Sequence, residues 1–154
     1  MTERHSLTSV EVRPLAIHDA ASVAELSAQL GYPASPEIMS ARIAHLSNST
    51  DHAAFVAMLD SKVVAWIEVI ISRHLHSGSY ALISGLVVSD THRGRGVGTR
   101  LCAEAEAWAR DHGQTLIRVR SQIARQDAHR FYLREGYRQT KTSAAFEKKL
   151  VPAE

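Results

Sequence analysis

The length, composition and charge of the chain are those of an ordinary folded protein. Its 154 residues are 45% hydrophobic and 22% charged, with a net charge of +2, which fits one globular domain with its own core and excludes a disordered chain. The single cysteine, Cys102, excludes an internal disulfide, and no Cys/His spacing suggests a metal site, so we expect a cytoplasmic protein without a metal. We expect neither export nor a membrane span, because no signal peptide or long apolar stretch is present.

The first half of the chain predicts helices followed by a run of strands. Its apolar periodicity indicates, in chain order, a strand near 10–12, helices over 20–30 and 36–48, and strands over 53–59, 63–72 and 80–88. Gly31 ends the first helix, and Ser35 begins the second as an N-cap before Pro36. Asp60, Ser61 and Lys62 form a turn between two strands, which predicts an antiparallel hairpin.

The second half alternates helix and strand around a glycine-rich segment. We predict a helix from Val97 that Gly113 ends, a strand over 116–120, a helix over 128–135 and a final pair of strands from Tyr137 onward. The whole is a mixed α/β fold with a mainly antiparallel beginning. No repeat or linker divides the chain, so the sequence predicts one domain over residues 1–154.

Positive charge is concentrated between residues 93 and 138, where ten arginines face five acidic residues. Such a field binds nucleic acid or a small polyanion. Within it, glycine alternates along Arg93-Gly94-Arg95-Gly96-Val97-Gly98, between a predicted strand and a predicted helix. Backbone N–H groups of such a loop, with the helix dipole behind them, suit a pyrophosphate, and Arg93 and Arg95 add charge. The plain alternative is a glycine-rich turn that binds nothing.

Three other functional interpretations of this region agree poorly with its sequence. A dinucleotide-binding loop requires a different glycine spacing and an acidic residue about twenty positions on, where residues 118–120 are basic. A Walker loop requires a lysine after its last glycine, and Gly98 is followed by Thr99. Nucleic-acid binding lacks a recognition helix or an aromatic platform, so we expect no nucleic-acid partner.

The spacing of Arg93, Gly96 and Gly98 resembles the first signature of the GNAT superfamily of N-acetyltransferases. Residues 128–137, with Phe-Tyr in a predicted helix that ends in Gly-Tyr, resemble its second. The resemblance implies a GNAT-like, mostly antiparallel and twisted sheet of six to seven strands, flanked by about four helices. It further implies transfer of an acetyl group from acetyl-CoA to a primary amine, by direct attack in a ternary complex.

The resemblance also assigns residues to the acyl donor. The strand 86–88 is expected to pair with the pantetheine arm, and Gly85 marks either a bulge in that strand or a close packing contact. Gln122 stands where many relatives carry Asn. The residues expected to contact acetyl-CoA are Leu86, Val87, Val88, Arg93, Gly94, Arg95, Gly96, Val97, Gly98, Thr99, Gln122 and Arg130.

Catalysis requires an acid for the departing thiolate and a base for the amine. The resemblance makes Tyr132 the acid, against the alternative that it only packs its helix. Many relatives carry a carboxylate in the strand before the glycine loop, but residues 83–85 offer none. Glu68 is the best candidate for the base, because it lies in an otherwise apolar strand. His74, His76 or bound water are the alternatives.

The acceptor and the assembly are left open by the sequence. A small-molecule amine, an aminoglycoside-like antibiotic or a peptide amine would each suit the chemistry, because the substrate-binding segments of this fold vary freely. A catalytically weak, CoA-binding regulatory module is the alternative function. A homodimer is the default expectation for a small enzyme of this type.

Overall fold

The structure is a computed structural model that describes residues 10–121 and 125–152. The chain divides into two compact units, residues 1–120 and residues 121–154. The first unit is built on one sheet whose strands are β1 (Glu11–Pro14), β2 (His52–Leu59), β3 (Lys62–His74), β4 (Gly78–Val88) and β5 (Ile117–Val119). The strands lie in chain order, with the first four antiparallel and β5 parallel to β4.

Four α-helices accompany these strands in the described residues. A 3-10 turn at Ile17–Asp19 precedes the helices of the first unit, which are α1 (Ala20–Gln29), α2 (Pro36–Leu46) and α3 (Val97–Asp111), while α4 (Gln126–Arg134) belongs to the second. Ser35 caps α2 as predicted, because its Oγ accepts a hydrogen bond from the backbone N–H of Ile38 at 3.1 Å. None of these described helices is both long and apolar enough to cross a membrane.

The two faces of the sheet are covered by different helices. Trp66 of β3 packs against a buried cluster made of Ala20, Val23, Ala24 and Met39 from α1 and α2. Side chains alternate between faces along a strand, so Ile67 and Val69 point the opposite way. Both are fully buried, and α3 contacts β3. We name the two sides of the sheet the α1 face and the α3 face.

Two β-bulges shift the pairing of the strands. In the β2–β3 pair Val64 has no residue opposite it, and in the β3–β4 pair Ser84 has none. An unpaired residue changes which side chains across the ladder share a face. The shifts place Glu68 opposite Gly85 and put His52, opposite Ile70, on the α1 face with Glu68.

The predicted final pair of strands is not formed. The sheet has five strands rather than six to seven, and the described residues 137–152 contain no strand. This segment is rich in lysine and small polar residues, and its large apolar side chains, Phe146, Leu150 and Val151, are exposed. Without an alternating apolar face it has no burial to offset the entropy of forming a strand.

Candidate functional site

The glycine-rich segment has the backbone shape of an anion-binding loop. Gly94 and Gly96 both have φ of +79°, a left-handed conformation that strains other residues. A Cβ atom added at either glycine would meet no protein atom within 4 Å. The space beside the loop is therefore open on the side where these two side chains would stand.

Helix α3 begins directly at this loop. Gly96 is its N-cap, and the first helical hydrogen bond runs from Arg100 N to Gly96 O at 3.1 Å. The N–H groups of Val97 and Gly98 precede that bond and belong to the positive end of the helix dipole. The first turn, which includes Thr99, carries no acidic residue. The loop and the helix together therefore favour a bound anion.

Two arginines add positive charge to the loop. Arg93 and Arg95 are both exposed, and neither has a carboxylate partner within the described part of the chain. The Nε of Arg93 donates a long hydrogen bond of 3.4 Å to the carbonyl of Val88 at the end of β4. Both guanidinium groups therefore remain able to bind phosphate oxygens.

One backbone edge of β4 lacks a strand partner near the loop in the described part of the chain. β5 pairs with β4 only over Ala81–Ile83. From Ser84 to Val88, the edge of β4 that faces away from β3 has no strand partner among the described residues. Leu86, Val87 and Val88 belong to this stretch of β4. An extended ligand can pair with such an edge through backbone hydrogen bonds.

Glu68 lies next to the bulge of β4 and is held by a histidine. The Nε2 of His52 and the Oε2 of Glu68 are 2.6 Å apart, with 11% and 26% of the two side chains exposed. The other oxygen, Oε1, lies 4.0 Å from the position of a Cβ added at Gly85. Glu68 is also the only carboxylate in strands β2 to β5. The carboxylate therefore reaches from a partner on β2 towards the bulge.

Both interpretations of Gly85 hold in the structure. Ser84, the preceding residue, is the unpaired residue of the bulge. A Cβ added at Gly85 would also come within 2.8 Å of the indole ring of Trp66, closer than packing allows. Glycine at this position thus leaves room for the indole beside the bulge.

His74 and His76 lie far from Glu68. His74 is opposite Gly78 at the far end of β3, six residues along the strand from Glu68, which corresponds to roughly 20 Å. Its Nε2 lies 2.7 Å from Ser72 Oγ and 3.3 Å from the hydroxyl of Tyr80, and the His76 ring is 5.9 Å away between centroids. The structure does not bring these histidines to the carboxylate.

The second unit carries the predicted acid on α4. The ring of Tyr132 makes edge-to-face contacts with Phe131 and Tyr137, at centroid distances of 5.2 and 5.8 Å. Gly136, with φ of +95°, ends the helix as predicted. Arg130 is exposed on the same helix. Gln122 lies outside the described residues, and within them no group of three or more His, Cys, Asp or Glu is arranged to hold a metal.

The histidine partner of Glu68 was not anticipated from the sequence. The signal for it is the hairpin register, but the unpaired Val64 changes that register. Without this bulge Glu68 would lie opposite Ala53, and His52 would point to the other face of the sheet. A count of residue pairs from the hairpin turn, made without the bulge, therefore places His52 on the wrong face of the sheet.

Comparison with known proteins gives consistent matches in sequence and in fold. The aminoalkylphosphonate N-acetyltransferase of Salmonella typhimurium is 42% identical over 86 residues, 55% of this chain and 56% of that protein, so the match spans about half of this relative. The aminoglycoside N(6′)-acetyltransferase type 1 of Serratia marcescens is 28% identical over 121 residues, 75% of this chain and 83% of that protein.

The fold has close counterparts among solved structures. An aminoglycoside N-acetyltransferase in complex with CoA superposes with a TM-score of 0.82 at 17% identity, over 92% of this chain and 95% of that chain. The sequence model of the Acetyltransferase (GNAT) family matches residues 20–137, which is most of the chain. The signatures around Arg93 and Tyr132 both lie within this match. The chain therefore belongs to the GNAT family of acetyltransferases.

Proposed function

We propose that the chain is a single-domain N-acetyltransferase that transfers the acetyl group of acetyl-CoA to a primary amine, by direct attack in a ternary complex. The observation that carries the proposal is the position of Glu68. Its carboxylate is the only one in β2–β5 and lies beside the β4 bulge, next to a backbone edge that has no strand partner among the described residues. Relatives named as N-acetyltransferases of aminoalkylphosphonates and aminoglycosides support a small-molecule amine as the acceptor.

The glycine loop and the β4 edge suit the acyl donor. Acetyl-CoA supplies the activated thioester, an extended pantetheine arm and a pyrophosphate. The open space at Gly94 and Gly96 admits a ligand close to the backbone. We assign the pyrophosphate to the loop and to the beginning of α3, and the pantetheine arm to the edge 86–88. The residues assigned to the donor are Leu86, Val87, Val88, Arg93, Gly94, Arg95, Gly96, Val97, Gly98, Thr99, Gln122 and Arg130.

Glu68 is the proposed general base. An alkylamine is mostly protonated at neutral pH and must lose a proton to become a nucleophile. His52 occupies Oε2, whereas Oε1 accepts no hydrogen bond within the described residues and is directed towards the bulge. That oxygen receives the proton of the amine, directly or through a water molecule. His52 is then a positioning residue, because it fixes the carboxylate from the β2 side.

Tyr132 is the proposed general acid. As the new C–N bond forms and the C–S bond of the thioester breaks, the departing thiolate takes up the proton of the Tyr132 hydroxyl. The edge-to-face contacts of the Tyr132 ring with Phe131 and Tyr137 hold the ring in place while the proton is transferred. The acid and the base are thus two separate residues, on α4 and on β3.

A turnover assay tests the proposed function. Purified protein is incubated with acetyl-CoA and a panel of primary amines, and the release of CoA is followed together with the mass of the acetylated product. Formation of an acetylated amine, lost in Glu68→Gln, supports the proposal. Binding of CoA in calorimetry without acetylation of any amine would instead favour the regulatory-module alternative.

A further inference from the structure

A cluster of polar side chains occupies the same face of the sheet as Glu68, the α1 face. It consists of Ser72, Tyr80 and Arg118, with Arg120 close by, and we name it the arginine–tyrosine cluster. Tyr80 is only 3% exposed, and the guanidinium carbon of Arg118 lies 4.3 Å from the centre of its ring. Ser72 is paired with Tyr80 in the sheet, and Ser72 and Glu68 point to the same face because they are four residues apart on β3.

The cluster produces a local field that stabilises negative charge. Burial alone would raise the pKa of Tyr80, because the charged phenolate is poorly solvated. Hydrogen bonds with Ser72 and Arg118, together with the positive charges of Arg120 and Arg118, outweigh this effect and lower the pKa of Tyr80 below its usual value of 10.0. A field that favours a phenolate also favours another anion placed beside it.

The two arginines of the cluster lack acidic partners. Elsewhere in the first unit, Arg13 and Arg73 each donate two hydrogen bonds to an aspartate. In contrast, neither Arg118 nor Arg120 has a carboxylate within ion-pair distance over the described ranges, and both are exposed. Their charges therefore remain available to a ligand that carries an anionic group.

The register of the strands sets the separation between the cluster and Glu68. Arg118 lies opposite Leu82, which lies opposite Ile70, so Arg118 is two strands away from Glu68 and two residues further along. Strand spacing and residue rise then place their Cα atoms about 12 Å apart. Both residues stand on the α1 face, and the guanidinium group of Arg118 lies over the ring of Tyr80. The remaining gap suits a short molecule with different groups at its two ends.

We propose that the acceptor is a small amine with an anionic group, a phosphonate or a carboxylate, which Arg118 and Arg120 bind while Glu68 receives the proton of the ammonium group. The inference rests on the proposed acetyl transfer and adds the class of substrate. An acceptor with several ammonium groups is disfavoured, because a second ammonium would lie against two unpaired guanidinium groups.

Four acceptors with acetyl-CoA test this inference. They are 2-aminoethylphosphonate, 3-aminopropanoate, the neutral-tailed n-propylamine and the polycation tobramycin. We expect a higher kcat/KM for the two anionic amines than for the other two. Arg118→Gln and Arg120→Gln should each lower kcat/KM for the anionic amines on the order of 10- to 100-fold, as expected for losing a hydrogen bond to a charged group, and should leave n-propylamine little changed.

A matched control separates binding at the cluster from a general loss of positive charge. Arg110→Gln removes an exposed arginine from the last turn of α3 and should leave the selectivity unchanged. Comparison of the two anionic acceptors then identifies the anion, because both accept bidentate hydrogen bonds from arginine but a phosphonate has more acceptor oxygens and carries more charge than a carboxylate.

The outcomes separate this inference from the proposed function. Equal or better turnover of n-propylamine or tobramycin, or an unchanged selectivity in Arg118→Gln, overturns the anionic acceptor and leaves acetyl transfer standing. If no amine is acetylated, calorimetry with 2-aminoethylphosphonate decides. Binding that Arg118→Gln abolishes supports the anion site and overturns acetyl transfer, whereas absence of binding to the unaltered chain overturns both.

Discussion

The two faces of β3 carry residues that are neighbours in the chain but differ in burial and polarity. On the α3 face, Ile67 and Val69 are completely buried and carry no polar group. On the α1 face, Trp66 packs on the helices, whereas Glu68 is 26% exposed and hydrogen-bonded to His52. Residues that stabilise the core and the residue proposed to act in catalysis are thus adjacent in the chain. Substitutions at adjacent positions should therefore affect different measurements.

The largest expected effect is on turnover, in Glu68→Gln. Loss of a general base lowers kcat by about 10²- to 10⁴-fold near neutral pH, with partial recovery at alkaline pH as the amine deprotonates in solution. Unfolding by urea should change little, because glutamine retains an oxygen that faces His52. A pH–rate profile parallel to that of the unaltered enzyme would exclude Glu68 as the base and direct attention to bound water.

Tyr132→Phe tests the acid, which lies outside the sheet. Its turnover should fall by about 10²-fold, while the affinity for CoA stays nearly constant because the ring contacts remain. Tyr137→Phe removes a hydroxyl from the neighbouring ring and serves as the control, with turnover expected to persist. If the two variants behave alike when chemistry limits the rate, Tyr132 has only a packing role.

Ile67→Ala should show the opposite behaviour to Glu68→Gln. Removal of a fully buried isoleucine side chain leaves a cavity and lowers the free energy of unfolding by about 2–5 kcal/mol. The kcat per folded molecule should be unchanged, because the side chain points away from Glu68. Urea unfolding and an assay below the transition measure the two quantities. A loss of kcat equal to that of Glu68→Gln would show that the faces are not independent.

Gly96→Ala and Gly113→Ala compare two glycines with nearly equal backbone geometry. Their φ angles are +79° and +77°, and an added Cβ meets no atom within 4 Å at either. Each substitution should destabilise the fold by roughly 1–2 kcal/mol, the cost of a left-handed residue. Only Gly96→Ala should also weaken CoA binding in calorimetry, by about tenfold, because a close backbone contact to a charged group is lost.

Asp19 is a carboxylate with a structural role, so its replacement should affect stability alone. The hydrogen bond from Arg13 lowers the pKa of Asp19 below its usual 3.8, and the backbone hydrogen bond from Ala16 acts in the same direction, although burial opposes both. Asp19→Asn should lower the free energy of unfolding by roughly 1–3 kcal/mol at neutral pH. Turnover should not change.

The pH dependence of this loss has a definite sign. A carboxylate with a lowered pKa contributes stability that is complete above the pKa of the unfolded chain and is lost as pH falls through the lower folded value. The difference between the unaltered chain and Asp19→Asn should therefore be constant at neutral pH and shrink below about pH 3.8. Asp51→Asn, at an exposed ion pair with Arg73, is the control and should show little change.

Local sequence signals predicted the elements of the fold well. Ser35 with Pro36 marked the beginning of α2, and Gly31 and Gly136 have the positive φ expected of residues that end helices. Asp60 and Ser61 have the positive φ of a tight hairpin turn between β2 and β3. These features depend on residues adjacent in the chain, and their physical causes are therefore contained in the sequence itself.

Features that depend on distant residues were predicted less well. The pairing of His52 with Glu68 depends on the unpaired Val64, and no residue type around it signals a bulge. The position of Glu68 in an apolar strand was enough to select it as the candidate base. Its hydrogen bond to His52 could be identified only from the observed pairing of β2 with β3. The prediction of strands after Tyr137 was wrong because this segment has no apolar face to bury.

The close contact at Gly85 links the residue types that can stand at two positions of the sheet. Any side chain at residue 85 would collide with the indole of Trp66, whose nearest atoms lie 2.8 Å from the added Cβ. A carboxylate at residue 85 itself would therefore require the indole of Trp66 to move or a smaller residue to replace it. The side chains that can stand at residues 66 and 85 are thus interdependent, and glycine is required at residue 85 for as long as the Trp66 ring keeps its position.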